Sequence, residues 1–298
     1  MEKTWKDKRK QGEKYMYLLI EIIKFLIYSI VIVVISKYAL VRILRKLGKL
    51  LKLKSKVIGN IAGIATSIPE LLTVSFSALT GLIETSVYNI ISSNVINLIQ
   101  YSAAVILNNN QKVLKNKAIR IDLFLVGITI IIPIIMLVFN FESQFVIVPI
   151  FIVLLLIFYK ITNNAHKLYM KKNNNEEVVK SNVKENTEEN NIRKDMLMVV
   201  IQIIFLITVG LILYVVGNLL SDVLNNLCVR FGIPEIIIGV LLGFITSLPE
   251  LITFFEAQKH HTDDKEGVVE ATSNLLTSNI MNLFVIQSIG IVIYLIVK

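Results

Sequence analysis

Two glutamates, Glu70 and Glu250, stand in near-identical surroundings inside apolar stretches of the chain. An acidic side chain at a helix centre in a bilayer costs roughly 2.5–3.5 kcal/mol on insertion scales, so the pair would cost about 5–7 kcal/mol. Carboxylates kept at that cost usually face a cavity and mark ion or proton pathways; capping a broken helix or binding backbone amides is the structural alternative. Residues 57–73 read VIGNIAGIATSIPELLT and residues 237–253 read IIGVLLGFITSLPELIT. Gly59, Gly63, Thr66, Ser67, Pro69, Glu70, Leu71 and Thr73 thus recur 180 positions later as Gly239, Gly243, Thr246, Ser247, Pro249, Glu250, Leu251 and Thr253. A second block follows in each half: NIISSNVINL (89–98) matches NLLTSNIMNL (274–283) at an offset of 185, the five extra residues lying around HHTDD.

Pro69 and Pro249 remove an amide donor and disturb the preceding turn. Carbonyls near Gly63, Thr66, Gly243 and Thr246 are therefore expected to be freed toward a cavity, where irregular backbone is tolerable. Thr66 and Glu70 are four apart, on one helix face, as are Thr246 and Glu250, Ser93 and Asn97, and Ser278 and Asn282. Folded together, these residues offer carboxylates, hydroxyls, amide oxygens and main-chain carbonyls, an all-oxygen set suited to hard cations such as Ca²⁺. Serine, threonine and asparagine also join ordinary membrane helices, but repetition in register favours a site over glue.

These residues need membrane-spanning elements to hold them. Of 298 residues, 54% are hydrophobic and 18% charged, with a mean hydropathy of +0.68; a soluble domain averages about 45–50% apolar and 25% charged. The excess lies in runs such as Met16–Ile35, Leu123–Phe139, Phe145–Tyr159, Met196–Gly217 and Asn279–Val297, near the ~20 residues that cross a bilayer. The fold class predicted is an all-α, polytopic transmembrane helix bundle of about eight spans: 16–36, 57–79, 84–107, 121–139, 145–162, 196–217, 235–258 and 267–296. The first run is too long for a signal-peptide core and no small-residue cleavage site follows, so a retained helix is expected.

Lysine and arginine concentrate in alternate connections, among them 37–56, 112–120, 163–195 and 259–265, whereas 80–83 and 140–143 have none. The positive-inside bias places the basic connections in the cytoplasm of a multi-pass protein of the cell membrane and the N-terminus outside, although the tail carries Lys3, Lys6, Lys8, Arg9, Lys10 and Lys14. The same bias accounts for a net charge of +9 without nucleic acid; the partners expected are membrane lipid and transported cations. Residues 163–195, rich in Asn, Glu and Lys, read as a solvated cytoplasmic linker. It divides a five-helix half (1–162) from a three-helix half (196–298). Leu44, Leu47 and Leu51 among the lysines of 42–56 suit either an amphipathic surface helix or a cytosolic extension of the first span. Five spans separate the start of one repeat copy from the other, so the copies run oppositely through the bilayer. Inverted repeats with Gly/Pro-interrupted helices point to a transport site at the midplane.

Other groups carry less. His260, His261, Asp263 and Asp264 fall in a short polar loop and read as a solvated connection rather than a metal cluster. Glu21 and Lys24 are spaced to pair along a helix. Glu84 and Glu270 start spans three and eight but do not align with each other in the repeat. Cys228 is the only cysteine, which excludes an intrachain disulfide and a thiolate cluster. No nucleotide loop or nucleophilic triad is visible, so neither an enzyme nor a cofactor is expected.

The TS-x-PE-L element followed by S-x-x-x-N, in two inverted copies, resembles the alpha repeats of the sodium/calcium exchanger family within the calcium/cation antiporter superfamily, over about 57–100 and 237–290. The resemblance implies that Glu70 and Glu250 are the Ca²⁺ carboxylates, with carbonyls of Thr66 and Thr246. It implies flanking Na⁺ sites lined by Thr66, Ser67, Ser278, Thr246, Ser247 and Ser93, with carbonyls of Gly63 and Gly243, and Asn97 and Asn282 completing the centre. The Glu70–Asn97 spacing of 27 fits the family; Glu250–Asn282 is 32, the excess lying in the loop. Members commonly have ten spans against eight here, so either oligomeric contacts, as in a homo-oligomer, cover the surface otherwise packed by the remaining pair, or the protein is a degenerate member. Asn282 stands where potassium-dependent relatives carry aspartate, which disfavours K⁺ co-transport. The expected function is secondary active Ca²⁺/cation antiport by alternating access, most simply Na⁺/Ca²⁺ exchange; H⁺/Ca²⁺ antiport, a passive cation channel and a non-transporting membrane scaffold are the alternatives.

Overall fold

A computed structural model describes residues 2–35, 38–39, 42–43, 55–170, 188–260 and 264–298. The described residues are almost wholly helical. Helix α1 spans Glu2–Ile35, α2 Ser55–Thr66, α3 Ile68–Leu79, α4 Ile83–Leu107, α5 Lys117–Val138 and α6 Ile147–Met170. The second half comprises α7 (Glu188–Asn225), α8 (Glu235–Thr246), α9 (Leu248–His260), α10 (Asp264–Ile280) and α11 (Gln287–Val297). Wider π-helical turns at Asn226–Arg230 and Met281–Ile286 continue α7 and join α10 to α11. Eight segments of the described chain are long and apolar enough to cross a membrane, as the hydropathy pattern predicts. Within 163–195, α6 runs on to Met170 and α7 begins at Glu188. The leucines of the 42–56 amphipathic segment, and His261 with Asp263, lie outside the described residues. The Glu21–Lys24 pair forms as its spacing predicts, at 3.0 Å.

Each repeat opens with one span broken in the middle. Ser67 sits between α2 and α3 at φ −82°, ψ 1°, and Ser247 between α8 and α9 at φ −80°, ψ −1°. The cause is local: Pro69 and Pro249 lack the N–H that would continue the ladder but suit the first turn of a new helix. The hairpin from α3 to α4 is tight, and Gly81 at φ +81° supplies the left-handed backbone it requires.

The two repeats interlock. Glycines bring each first half-helix against the other repeat's second element: a methyl on Gly63 would lie 2.7 Å from the Asn274 carbonyl oxygen and 2.9 Å from Thr277 Cβ, and one on Gly59 2.5 Å from the Glu270 carbonyl oxygen. Gly239 meets Thr85 and Tyr88, and Gly243 meets Asn89 and Ser92. So α2 packs on α10 and α8 on α4, with small residues allowing backbone contact. In both pairings residue numbers rise together, so the helices are parallel. Along α3 and α4 they run oppositely, Thr73 meeting Asn89 and Val74 meeting Ser86. It follows that α2 and α8 point in opposite directions, which is the inverted relation expected.

The repeats form the interior of the bundle. Of the most apolar windows, 67% is buried in Gly59–Leu79 and 56% in Glu235–Gln258, against 28% in Gly12–Ile35 and 17% in Ile147–Tyr169. Helices α1 and α7 pack together through Phe25, Ile32, Leu213 and Leu220. On the other flank, Phe151 and Phe158 of α6 meet Phe284 edge-on, with ring centroids 5.4 and 5.0 Å apart. Outward-facing residues such as Phe124, Ile131, Leu156 and Leu211 are exposed and apolar, as lipid contact requires.

Candidate ion-binding site

The interlock brings the polar residues of both repeats to one place. Glu70, one turn into α3, and Glu250, one turn into α9, are fully buried, as are Thr66, Thr246, Ser93, Ser278, Asn97 and Asn282, with Ser67 and Ser247 almost so. Ser93 Oγ donates to Glu70 Oε1 at 2.6 Å, and Ser278 Oγ to Glu250 Oε1 at 3.1 Å. The same serines contact the serines at the opposing helix breaks, Ser93 with Ser247 at 2.7 Å and Ser278 with Ser67 at 3.0 Å. Asn97 Nδ2 donates to Ser278 Oγ at 3.3 Å, and Asn282 Nδ2 to Ser93 Oγ at 3.4 Å. Every contact has a counterpart under exchange of the repeats.

The Gly63 and Gly243 carbonyls have donors of their own. The Gly63 carbonyl oxygen accepts from Ser67 N–H at 3.2 Å, Ser67 Oγ at 2.9 Å and Thr66 Oγ1 at 3.2 Å. The Gly243 carbonyl oxygen accepts from Ser247 N–H at 3.2 Å and Thr246 Oγ1 at 3.5 Å. The turn after each glycine supplies its own donors, so neither carbonyl is freed. The glycines act instead by letting the helices touch.

Four oxygens in this cluster are buried acceptors without a hydrogen-bond donor among the described residues: Glu70 Oε2, Glu250 Oε2, Asn97 Oδ1 and Asn282 Oδ1. Buried acceptors nearly always have a donor, and leaving one unsatisfied costs about 1–3 kcal/mol, more for a charged group. Carboxylate and amide oxygens are the ligand types that a hard cation takes. Among the described residues there is no cluster of three or more His, Cys, Asp or Glu side chains that could hold a resident metal.

Polar contacts continue from the centre in both directions. Asn89 Nδ2 donates to Thr73 Oγ1 at 2.6 Å and Asn274 Nδ2 to Thr253 Oγ1 at 2.6 Å, while Asn89 Oδ1 and Asn274 Oδ1 have no donor among the described residues. Asn89, Asn274, Asn94 and Asn279 escaped the reading of the sequence as site residues, although all four lie in the repeated second block. Their recurrence was the available signal.

A sequence model described as sodium/calcium exchanger protein matches residues 22–163 and 201–298, most of the chain. No curated protein sequence matches. Solved structures of the sodium-calcium exchanger NCX_Mj are similar: one soaked with 2.5 mM Na⁺ and 10 mM Sr²⁺ is 21% identical, with a TM-score of 0.48, covering 93% of this chain and 83% of that one. Another, soaked with 10 mM Na⁺ and zero Ca²⁺, is 22% identical at the same TM-score and coverage.

Proposed function

This chain belongs to the sodium/calcium exchanger protein family, and from that premise we propose that it moves Ca²⁺ across the membrane in exchange for Na⁺, with Glu70 and Glu250 binding the transported cation between them. The observation that carries the reading is the set of four donor-free oxygens, Glu70 Oε2, Glu250 Oε2, Asn97 Oδ1 and Asn282 Oδ1, in one buried cluster. Two carboxylates match the charge of one Ca²⁺. Na⁺ ions neutralise the same charge when they bind in its place, supported by the hydroxyls of Ser67, Ser93, Ser247, Ser278, Thr66 and Thr246. Occupation by one kind of cation excludes the other, and that exclusion couples the fluxes.

The inverted repeats supply the route. The polar contacts of Thr73 with Asn89 lead from the site along α3 and α4, and those of Thr253 with Asn274 lead the opposite way along α9 and α10. Rocking of one repeat against the other opens one route while closing its mirror image. The positive-inside bias places the route along α9 and α10 toward the cytoplasm and the N-terminus outside.

The test is Ca²⁺ uptake into proteoliposomes with outward gradients of Na⁺, H⁺ or K⁺ imposed in turn. Uptake should require the Na⁺ gradient. Uptake driven by H⁺ alone would replace Na⁺ with protons as the counter-ion, and uptake without any gradient would make the protein a passive channel.

A further inference from the structure

Asn94 and Asn279 follow the two site serines and are fully buried. Their hydrogen bonds nevertheless decide which way the site amides face. A main-chain carbonyl can only accept. Asn279 lies 3.2 Å from the Asn94 carbonyl oxygen, so its Nδ2 must face that oxygen and its Oδ1 must face away. That Oδ1 is 3.2 Å from Asn97, so Asn97 must present its nitrogen there, a nitrogen that also donates to Ser278 Oγ. Asn97 Oδ1 is thereby turned out of this chain of bonds, and it is one of the four donor-free oxygens.

The mirror arrangement follows the same logic. Asn94 Nδ2 donates to two carbonyls, Thr129 at 3.3 Å and Asn279 at 3.5 Å. Its Oδ1 therefore accepts from Asn282 Nδ2 at 3.1 Å, which leaves Asn282 Oδ1 without a donor. The direction matters because the flipped amide would put an NH₂ group, in place of an oxygen, into the cluster that holds the two carboxylates. That group would hydrogen-bond the anionic pair and repel a cation, stabilising the ion-free state at the expense of the bound one.

We propose that Asn94 and Asn279 are positioning residues, which lock the amides of Asn282 and Asn97 with their oxygens presented to the transported cation. The proposal rests on the reading of the cluster as a Ca²⁺ site. Asn94 and Asn279 act from behind the ligands: carbonyls at one end fix the polarity of each bond chain, and the amide oxygens emerge at the other.

A double-mutant cycle tests it, with equilibrium binding of radioactive Ca²⁺ to the purified full-length protein in detergent as the readout. Asn279→Ala should weaken Ca²⁺ binding by about 10- to 100-fold, the usual effect of losing a group that orients a metal ligand. In the Asn97→Ala background the same change should add less than about threefold, because the ligand it orients is already gone. A general structural role would instead give losses that multiply. Affinity of Asn279→Ala within about twofold of wild type, or multiplying losses in the double variant, would overturn the proposal while leaving the Ca²⁺ site standing. Absence of Ca²⁺ binding by the wild type would overturn both. Asn94 with Asn282 forms an independent cycle with the same expected pattern, which decides the matter should Asn279→Ala fail to fold.

Discussion

Ser93 of the first repeat and Ser247 of the second hold their hydroxyl oxygens 2.7 Å apart, so the two halves of the protein meet at a hydroxyl, that of Ser93, which also hydrogen-bonds Glu70. Ser67 and Ser278 form the mirror contact at 3.0 Å. Any rocking of one repeat against the other changes these distances, and with them the surroundings of Glu70 and Glu250. In the proposed exchange, ion binding and repeat movement would be joined through the same hydroxyls.

The serine contacts give the first prediction. Ser93→Ala and Ser278→Ala each remove a donor from a buried carboxylate and a hydroxyl from the proposed Na⁺ surroundings. Loss of a hydrogen bond to a charged group is worth about 1.5–3 kcal/mol, so the Na⁺ concentration giving half-maximal exchange should rise roughly tenfold or more. Na⁺-dependent Ca²⁺ flux in proteoliposomes, measured over a range of Na⁺ concentrations, checks this. The two variants should behave alike, because their positions are equivalent.

Glu70→Gln and Glu250→Gln should separate activity from stability. Removing one carboxylate from a buried, charge-paired cation site costs about 2–5 kcal/mol of binding, roughly thirty-fold or more. Without Ca²⁺, however, each variant removes a buried charge that the ion-free protein must keep desolvated. The thermal midpoint in chelator should therefore equal or exceed that of the wild type, while Ca²⁺ uptake falls to background. A scaffold would instead keep Ca²⁺ handling and stability unchanged.

Gly63→Ala and Gly243→Ala should damage the crossing of the repeats. The added methyls would meet Thr277 Cβ at 2.9 Å and Ser92 Cβ at 2.7 Å, besides the Asn274 and Asn89 carbonyls. Overpacking of this kind costs about 1–3 kcal/mol. Lower thermal midpoints and reduced uptake are expected together. Gly127→Ala in α5, where a methyl meets nothing within 4 Å, should change neither.

Much of this arrangement was legible before any coordinates, because membrane interiors restrict which polar residues survive there. Pro69 and Pro249 marked the breaks, the paired glutamates marked the centre, and Ser93, Ser278, Asn97 and Asn282 recurred in register. Other features escaped for physical reasons. Apart from the Thr129 carbonyl that Asn94 also reaches, the partners of Asn94 and Asn279 are each other and each other's site amides, 182 to 188 positions away, and no local spacing encodes an amide's orientation. The freed carbonyls at Gly63 and Gly243 were a fair expectation from proline chemistry, yet hydroxyls one turn on satisfy them. Steric contact across two repeats explains both glycines.

Asp122 illustrates the same limit. Its carboxylate is buried in α5 and accepts from Thr162 Oγ1 at 2.7 Å while contacting His166 Nε2 at 2.6 Å. These partners lie 40 and 44 residues away, and nothing in the sequence singled them out. The cluster ties α5 to α6. His166→Leu should lower the thermal midpoint, by an amount corresponding to about 1–3 kcal/mol for a buried polar group losing its partner. The Ca²⁺ concentration for half-maximal uptake should stay within about twofold of wild type, as measured by flux titration, since the hydrogen-bond partners of Asp122 lie outside the proposed cation ligands.

The central claim is that Glu70 and Glu250 share a single Ca²⁺. Isothermal titration of purified protein with Ca²⁺ in Na⁺-free buffer tests it most directly. The account predicts one Ca²⁺ bound per chain, with that binding lost in both Glu70→Gln and Glu250→Gln. Retention of one bound Ca²⁺ at unchanged affinity in either variant would contradict it, because a carboxylate that can be removed without consequence is not holding the ion.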